Sequence, residues 1–422
     1  MNPSLNMTLA FAVALLLNLA IKIGLMTRQN KCVLMNRFQV PAAFESTITL
    51  AAHQKAADYT LAKSKIAFWD LFLEILVIVA WTLLGGINAL NQALVSWLGL
   101  GLVQETTFIL SFVFISGLIN LPLSWIQTFV IEERFGFNKL TVKLWLTDMI
   151  KGVLLGLVLG VPLIALILWL MEVGGASWWI KAWLALVGFQ LLMIWIAPTF
   201  LMPLFNKFTP LSDDALKERI SSLMDRSGFK AKGFFVMDGS KRSAHSNAFF
   251  TGFGSSKRVV FFDTLLEQLS ADEMEAVLAH ELGHFKHMHL IKMMAINFCL
   301  TLLGFAVLGF VMQQSWFYTG LGVTPNLQGF SPSGNNALAL ILFTLVTPLV
   351  TFISTPVSSW RSRVQEFEAD AYAGQHANAE HLASALTKLY TDNASTLTPD
   401  PWYAAFYYSH PPATERLARM RA

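Results

Sequence analysis

The stretch Val277-Leu-Ala-His280-Glu281-Leu-Gly-His284-Phe-Lys-His-Met-His289 decides how this chain is read. Within it, His280 to His284 has the pattern His-Glu-x-x-His. Ser270-Ala-Asp-Glu273, just upstream, is a capping box that predicts a helix running through His287. Val277, Leu278 and Leu282 give that helix an apolar side. Residues four apart share a helical face, so both imidazoles can bind one metal ion. Glu281 follows the first histidine and can reach a water on the ion without binding the ion itself. Water on zinc has a pKa near ~7, and a carboxylate beside it can take its proton and pass it to a leaving amine. Gly283 costs about 1 kcal/mol of helix propensity. A glycine at that point predicts close approach of another backbone.

Two histidines leave a third ligand to be found, with a fourth position kept for water. The best source is Ser362-Arg-Val-Gln-Glu366-Phe-Glu-Ala-Asp370-Ala-Tyr-Ala. Glu366 and Asp370 are one helical turn apart and share a face, whereas Glu368 faces away from both. The longer Glu366 can reach across to the histidine helix as a ligand, and Asp370 is placed to hold an imidazole N–H. The competing reading of the run is an ordinary charged helix face. His287 and His289 are expected in solvated or supporting roles. His245 is read as a loop residue near the cleft, and His53, His376 and His381 as structural or surface residues.

The composition moves this site to a membrane. Of 422 residues 55% are apolar and 14% charged, against about 25% charged in soluble domains. Mean hydropathy is +0.52. Seven apolar stretches reach roughly the 20-residue length of a span: Thr8–Met26, Ala67–Leu90, Thr106–Val130, Gly152–Met171, Trp178–Ile196, Leu290–Met312 and Ala337–Ile353. Lys and Arg crowd the connections between spans one and two and between three and four, and the segment after span seven. Residues 91–105, 172–177 and 313–336 contain neither. That asymmetry predicts an N-terminus outside and a C-terminus and active site in the cytoplasm. Asp70 and Glu74 share one face of the second span and either line a wet cavity or reach interfacial water. A net charge of +3 gives no ground for nucleic-acid binding, and the two cysteines, Cys32 and Cys299, exclude a thiolate metal site.

The chain is thus expected to divide into four parts. Residues 1–199 hold five membrane helices with cytoplasmic loops, and 200–289 form a cytoplasmic α+β catalytic segment. Residues 290–353 hold two more membrane helices, and 354–422 a cytoplasmic helical segment that supplies the third ligand. Within 200–289, Ser212 to Ser227 has helical periodicity. FFVMDGS, NAFFTGF and RVVFFD are short aromatic and β-branched runs of strand type.

These residues are recognisable together. ERFGFNK (Glu133–Lys139), PLFNKFTPL (Pro203–Leu211), DGSKRSAHSNAFFTGF (Asp238–Phe253), KRVVFFDTLLE (Lys257–Glu267), the His280 motif, the Glu366 run and SHPPATERL (Ser409–Leu417) resemble the type I CAAX prenyl endopeptidases over nearly the whole chain. The resemblance implies a mainly α, polytopic fold: about seven transmembrane helices around a water-filled chamber, with a zincin-like α+β protease domain on its cytoplasmic side. It implies one zinc ion per chain held by His280, His284 and Glu366, with Glu281 as base and Asp370 in support. It places Asn247 and His410 near the scissile carbonyl. A substrate would add to the edge of the strand that Asn247 opens, and His410 would donate to the oxyanion. The implied partners are a peptide or protein substrate, prenylated or membrane-associated, and the lipid bilayer; the oligomeric state is left open.

Eukaryotic members carry a long insertion between the DTLLE run and the histidine motif. Here about a dozen residues separate them, and no dilysine ends the chain. These features point to a compact bacterial-type protein of an inner membrane rather than the endoplasmic reticulum. Two other readings remain, a quality-control membrane protease and a transporter or channel with a structural metal. Glu281 argues against the transporter, because a structural site has no use for a base.

Overall fold

The computed structural model describes residues 2–229, 233–251, 258–326 and 334–421. Gly252 and Phe253 at the end of the NAFFTGF run, the residues that follow to 257 and part of the stretch 313–336 lie outside them.

The chain begins with α1, Pro3–Asn36, started by Asn2, whose side chain accepts from the Ser4 amide, and by Pro3 at its first position. At 34 residues it is longer than a bilayer requires and runs on past the apolar stretch. Next come α2 (Leu50–Trp81) and α3 (Gly86–Leu98), then α4 (Leu102–Ile126), which passes through a π-helical turn at Gln127–Glu132 into the short α5 (Glu133–Phe135). Two further long helices follow, α6 (Val142–Val173) and α7 (Trp178–Ile196).

Among the described residues six helices are long and apolar enough to cross a membrane, or seven if the pair α2 and α3 is one span. That pair corrects one expectation. The second span, expected as Ala67–Leu90, is broken within that range, and its two helices meet at 50°. The cause is local. Thr82 leaves helical geometry, Gly85 takes φ 82°, and a Cβ on Gly86 would lie 2.7 Å from the Ala80 carbonyl oxygen.

The segment between α7 and the next membrane-length helix contains β1 (Phe208–Pro210), α8 (Asp214–Arg226), β2 (Gly233–Met237), β3 (Ala248–Thr251), β4 (Arg258–Phe262), α9 (Asp263–Gln268) and α10 (Ala271–Lys286). The sheet order is β1-β2-β4-β3, with β2 and β4 parallel and the outer pairs antiparallel. β4 is central, and Val259, Val260 and Phe261 are all buried in it. The three expected strands are present, and β1 is an addition. β3, opened by Asn247, is an edge strand.

The chain then returns through α11 (His289–Val311) and α12 (Ser315–Gly320) to α13 (Asn336–Thr351). A 3-10 turn at Phe352–Ser354 joins α13 to α14 (Thr355–His376). The last span and the helix carrying Glu366 therefore form one 41-residue rod, Asn336–His376. Three helices close the fold: α15 (Ala379–Asp392), α16 (Pro401–Tyr407) and α17 (Ala413–Met420).

Packing is concentrated at two ends. One core joins Phe11, Ile78, Trp81, Phe108, Leu168, Trp178, Leu308 and Leu342 from the membrane helices. The other joins Ile220, Leu223, Val259, Phe261, Leu278, Leu282, Tyr372 and Leu382 around the sheet. Along the spans, Leu16, Leu118, Val158, Leu303 and Phe310 stay exposed, as suits a surface facing acyl chains. Between the two cores lies a cavity of 1620 Å³.

Candidate active site

Helix α10 brings His280 and His284 to the cavity's protein-domain end. Its capping box is complete: the Ser270 side chain accepts from the Glu273 amide, and Glu273 accepts from the Ser270 amide. The glycine in the motif has the neighbour its sequence implied. A Cβ on Gly283 would sit 2.9 Å from Ala369 Cα and 3.1 Å from the Ala369 carbonyl oxygen, so α10 and α14 touch backbone to backbone there. That contact carries Glu366 to the histidines.

His280, His284 and Glu366 offer one atom each within 4.8 Å of one another, the one such group of three or more His, Cys, Asp or Glu among the described residues. His280 Nε2 and His284 Nε2 are 3.2 Å apart, and the Glu366 carboxylate stands 3.5 Å from the first and 3.3 Å from the second. Glu366 Oε2 is buried and accepts no hydrogen bond. A buried carboxylate oxygen left over beside two converging imidazole nitrogens is a donor set that fits a divalent cation.

The other face of the His280 ring is also held. Its Nδ1 lies 2.8 Å from Asp370 Oδ1, and Asp370 in turn takes both arms of Arg416. Arg416 is 4% exposed, and its Nη1 is 3.4 Å from Glu366. Sequence reading missed Arg416, because an arginine in a C-terminal run reads as one of the cytoplasmic positive charges. The signal available was its place inside SHPPATERL.

Glu281 lines the cavity beside His280, and burial pushes its carboxyl above the ordinary glutamate range. Asn247 lines the same cavity, with its side-chain oxygen accepting from the Ala248 amide at 2.9 Å. His410 Nε2 is 3.4 Å from Glu366 Oε1, and its Nδ1 is 3.0 Å from the Ser409 hydroxyl. Six of the seven residues singled out from the sequence thus lie in or against the cluster, and Asn247 is on the wall of the same cavity.

Of the other histidines, His245 stacks on Phe137, and its Nδ1 is 2.9 Å from the side-chain oxygen of Asn393. It faces Glu132, which also accepts from Tyr59 and Gln127. His53 is buried at 1% exposure, with Nε2 2.9 Å from the Asn36 carbonyl.

Along the membrane helices the cavity wall is mixed, apolar at Ile66, Val77, Trp81, Phe112 and Leu345 and polar at Ser116, Asn120 and Gln127. Asp70 and Glu74 line it too, and both are exposed. Glu74 pairs with Lys22 of the first span at 3.0 Å.

Long apolar helices around a cavity, with a His-His-Glu cluster and a free glutamate at one end, define the class: a membrane-embedded metalloendopeptidase. Two family models match in tandem, "CAAX prenyl protease N-terminal, five membrane helices" over residues 29–207 and "Peptidase family M48" over 210–422. CAAX prenyl protease 1 of Saccharomyces cerevisiae is 38% identical, over 92% of this chain and 89% of that protein. The Homo sapiens homologue is 31% identical, over 90% and 88%. The crystal structure of S. mikatae Ste24p superposes with a TM-score of 0.90 at 34% identity, covering 99% of both chains. The chain belongs to the CAAX prenyl protease 1 family of M48 peptidases.

Proposed function

We propose that this protein is a zinc endopeptidase that cleaves prenylated, membrane-associated proteins near their C-terminal end. The observation that carries the proposal is the convergence of His280, His284 and Glu366 beside Glu281, against a cavity that also exposes Val77, Trp81, Phe112 and Leu345. When bound, zinc supplies Lewis-acid chemistry, polarising the scissile carbonyl and making water acidic enough to ionise near neutral pH.

The remaining work falls to side chains. His280, His284 and Glu366 hold the ion. Asp370 accepts from His280 Nδ1, which leaves Nε2 as the binding nitrogen. Glu281 removes the proton of the attacking water and returns it to the leaving amine. The substrate backbone adds to the free edge of β3, where Asn247 turns from the Ala248 amide to the incoming chain. His410 donates to the oxyanion that develops on the carbonyl. The apolar wall at Val77, Trp81 and Phe112 takes the lipid.

The placement of Lys and Arg supports an N-terminus outside and a cytoplasmic active site. The short link between the DTLLE run and the histidine motif supports a bacterial-type inner membrane. The test compares farnesylated and unfarnesylated CAAX peptides with purified protein, with and without a chelator. Chelator-sensitive cleavage that favours the farnesylated peptide is expected. Equal cleavage of both peptides would defeat the lipid assignment, and chelator-resistant cleavage the metal assignment.

A further inference from the structure

The two histidines of the motif are expected to be held alike, yet only His280 has a carboxylate behind it. Behind His284 stands His289, with Nδ1 2.9 Å from His284 Nδ1. The Nε2 of His289 is 2.8 Å from Glu368 Oε2. One assignment of protons satisfies every contact. If His284 gives Nε2 to the ion, its Nδ1 carries the proton and donates to His289 Nδ1. His289 then carries its own proton on Nε2 and donates to Glu368. Each neutral ring has one proton, and none is left without an acceptor.

The backbone is bent to make this chain. His289 is five residues after His284, and on a continuous helix it would point about 140° away from it. Helix α10 ends first, and Met288 adopts φ 54°, ψ 35°, the left-handed region that non-glycine residues avoid. The Met288 side chain is itself exposed, so its own packing does not account for the conformation. Its effect is to turn the chain back so that His289 lies over His284, with ring centroids 5.1 Å apart. The His289 ring is further stacked on His287 and is 4% exposed. Glu368, the carboxylate that faces away from Glu366 and Asp370, is thereby given a partner of its own.

Resting on the zinc reading above, we infer that His289 and Glu368 are positioning residues for His284. They fix its tautomer and ring plane so that Nε2 stays turned toward the ion, as Asp370 does for His280. Neither touches substrate.

The experiment measures release of zinc from the purified full-length protein into excess chelator, for wild type, His284→Ala, His289→Leu, His289→Gln and Glu368→Ala. His289→Leu should release zinc about 10–100-fold faster than wild type, the usual cost of losing such a partner. His289→Gln should recover part of this, since its amide can accept from His284 and donate to Glu368. Glu368→Ala should fall between Gln and wild type. In the cobalt-substituted protein, His289→Leu should shift the visible absorption of the metal. The metal-free forms of wild type and His289→Leu should melt together, which a merely structural role would not allow.

Wild-type release rates in both His289→Leu and Glu368→Ala would overturn the inference. If His289→Leu does not fold, Glu368→Ala decides alone, because its carboxylate is nearly half exposed and its loss leaves the core intact. A wild type that holds no zinc, or a His284→Ala variant that holds it normally, would sink the metal reading itself and this inference with it.

Discussion

Glu281 and Glu366 face the same cavity from different helices, and their surroundings divide their tasks. Glu366 is pressed against three imidazoles, those of His280, His284 and His410, and an arginine, whereas Glu281 looks into the cavity with its carboxyl raised by burial. Replacing Glu281 by Ala should lower turnover by about 10²–10⁴ while zinc content stays at one ion per chain. Joint loss of metal and activity would reassign Glu281 to ligation. Replacing Glu366 by Ala should strip the metal, and Asp370→Ala should weaken binding by about 10–100-fold. Metal analysis of the purified variants separates the two roles, and full occupancy in Glu366→Ala would defeat the coordination scheme. Asp370 carries an added burden, because its loss also leaves Arg416 buried without its carboxylate.

At the scale of elements, the site depends on how closely α10 and α14 approach. Gly283 sets that distance, since a methyl group there meets backbone rather than a flexible side chain. Gly283→Ala should therefore cost about 1–3 kcal/mol in thermal unfolding, despite alanine's better helix propensity. It should also speed zinc loss, because the ligands sit on both helices. Unchanged stability and zinc retention would mean that the helices yield freely.

The start of α10 is anchored separately. Glu273 is buried, which raises its carboxyl, but Lys388, Ser384 and the Ser270 amide together bring it down to about 2. The folded value lies below the ordinary 4.5. Its contribution is thus present above about pH 4.5 and is lost as pH falls toward 2. Glu273→Gln should lower stability by about 1–2 kcal/mol at pH 7, with the difference from wild type shrinking over that acid window. A difference that is flat with pH would remove the charge from the account.

For the molecule as a whole, two packed ends hold a large cavity open between them. The membrane-side core closes one end, and the sheet with α10, α14 and α17 closes the other. The 41-residue run from Asn336 to His376 links them, so the last span and the Glu366 ligand lie on one helical stretch. The proposed orientation places residues 91–105, 172–177 and 313–336 away from the cytoplasm. Single cysteines introduced at Trp97, Gly175 and Thr319 should be labelled by an impermeant maleimide from the outer side only. Cytoplasmic labelling at any of them would reverse or break the proposed topology.

Much of this protein is legible in its residues, because two of its signals are local. Hydropathy reports the spans, since each must satisfy its own backbone inside lipid. The His-Glu-x-x-His spacing reports the site, since one helical turn suffices to aim two imidazoles. Gly283 announced a close neighbour, and Glu366 and Asp370 fell on one face. What the residues could not report was where partners distant in the chain would meet. Arg416 is 46 residues from Asp370, Glu368 is 79 from His289, and Lys22 is 52 from Glu74; no periodicity links them. The break at Thr82 to Gly86 was hidden for a related reason. Hydropathy averages over a window and is blind to a backbone bend within an apolar run. The tertiary structure decided these points, because only packing sets which buried charges share a cavity and where the chain must turn to bring them there.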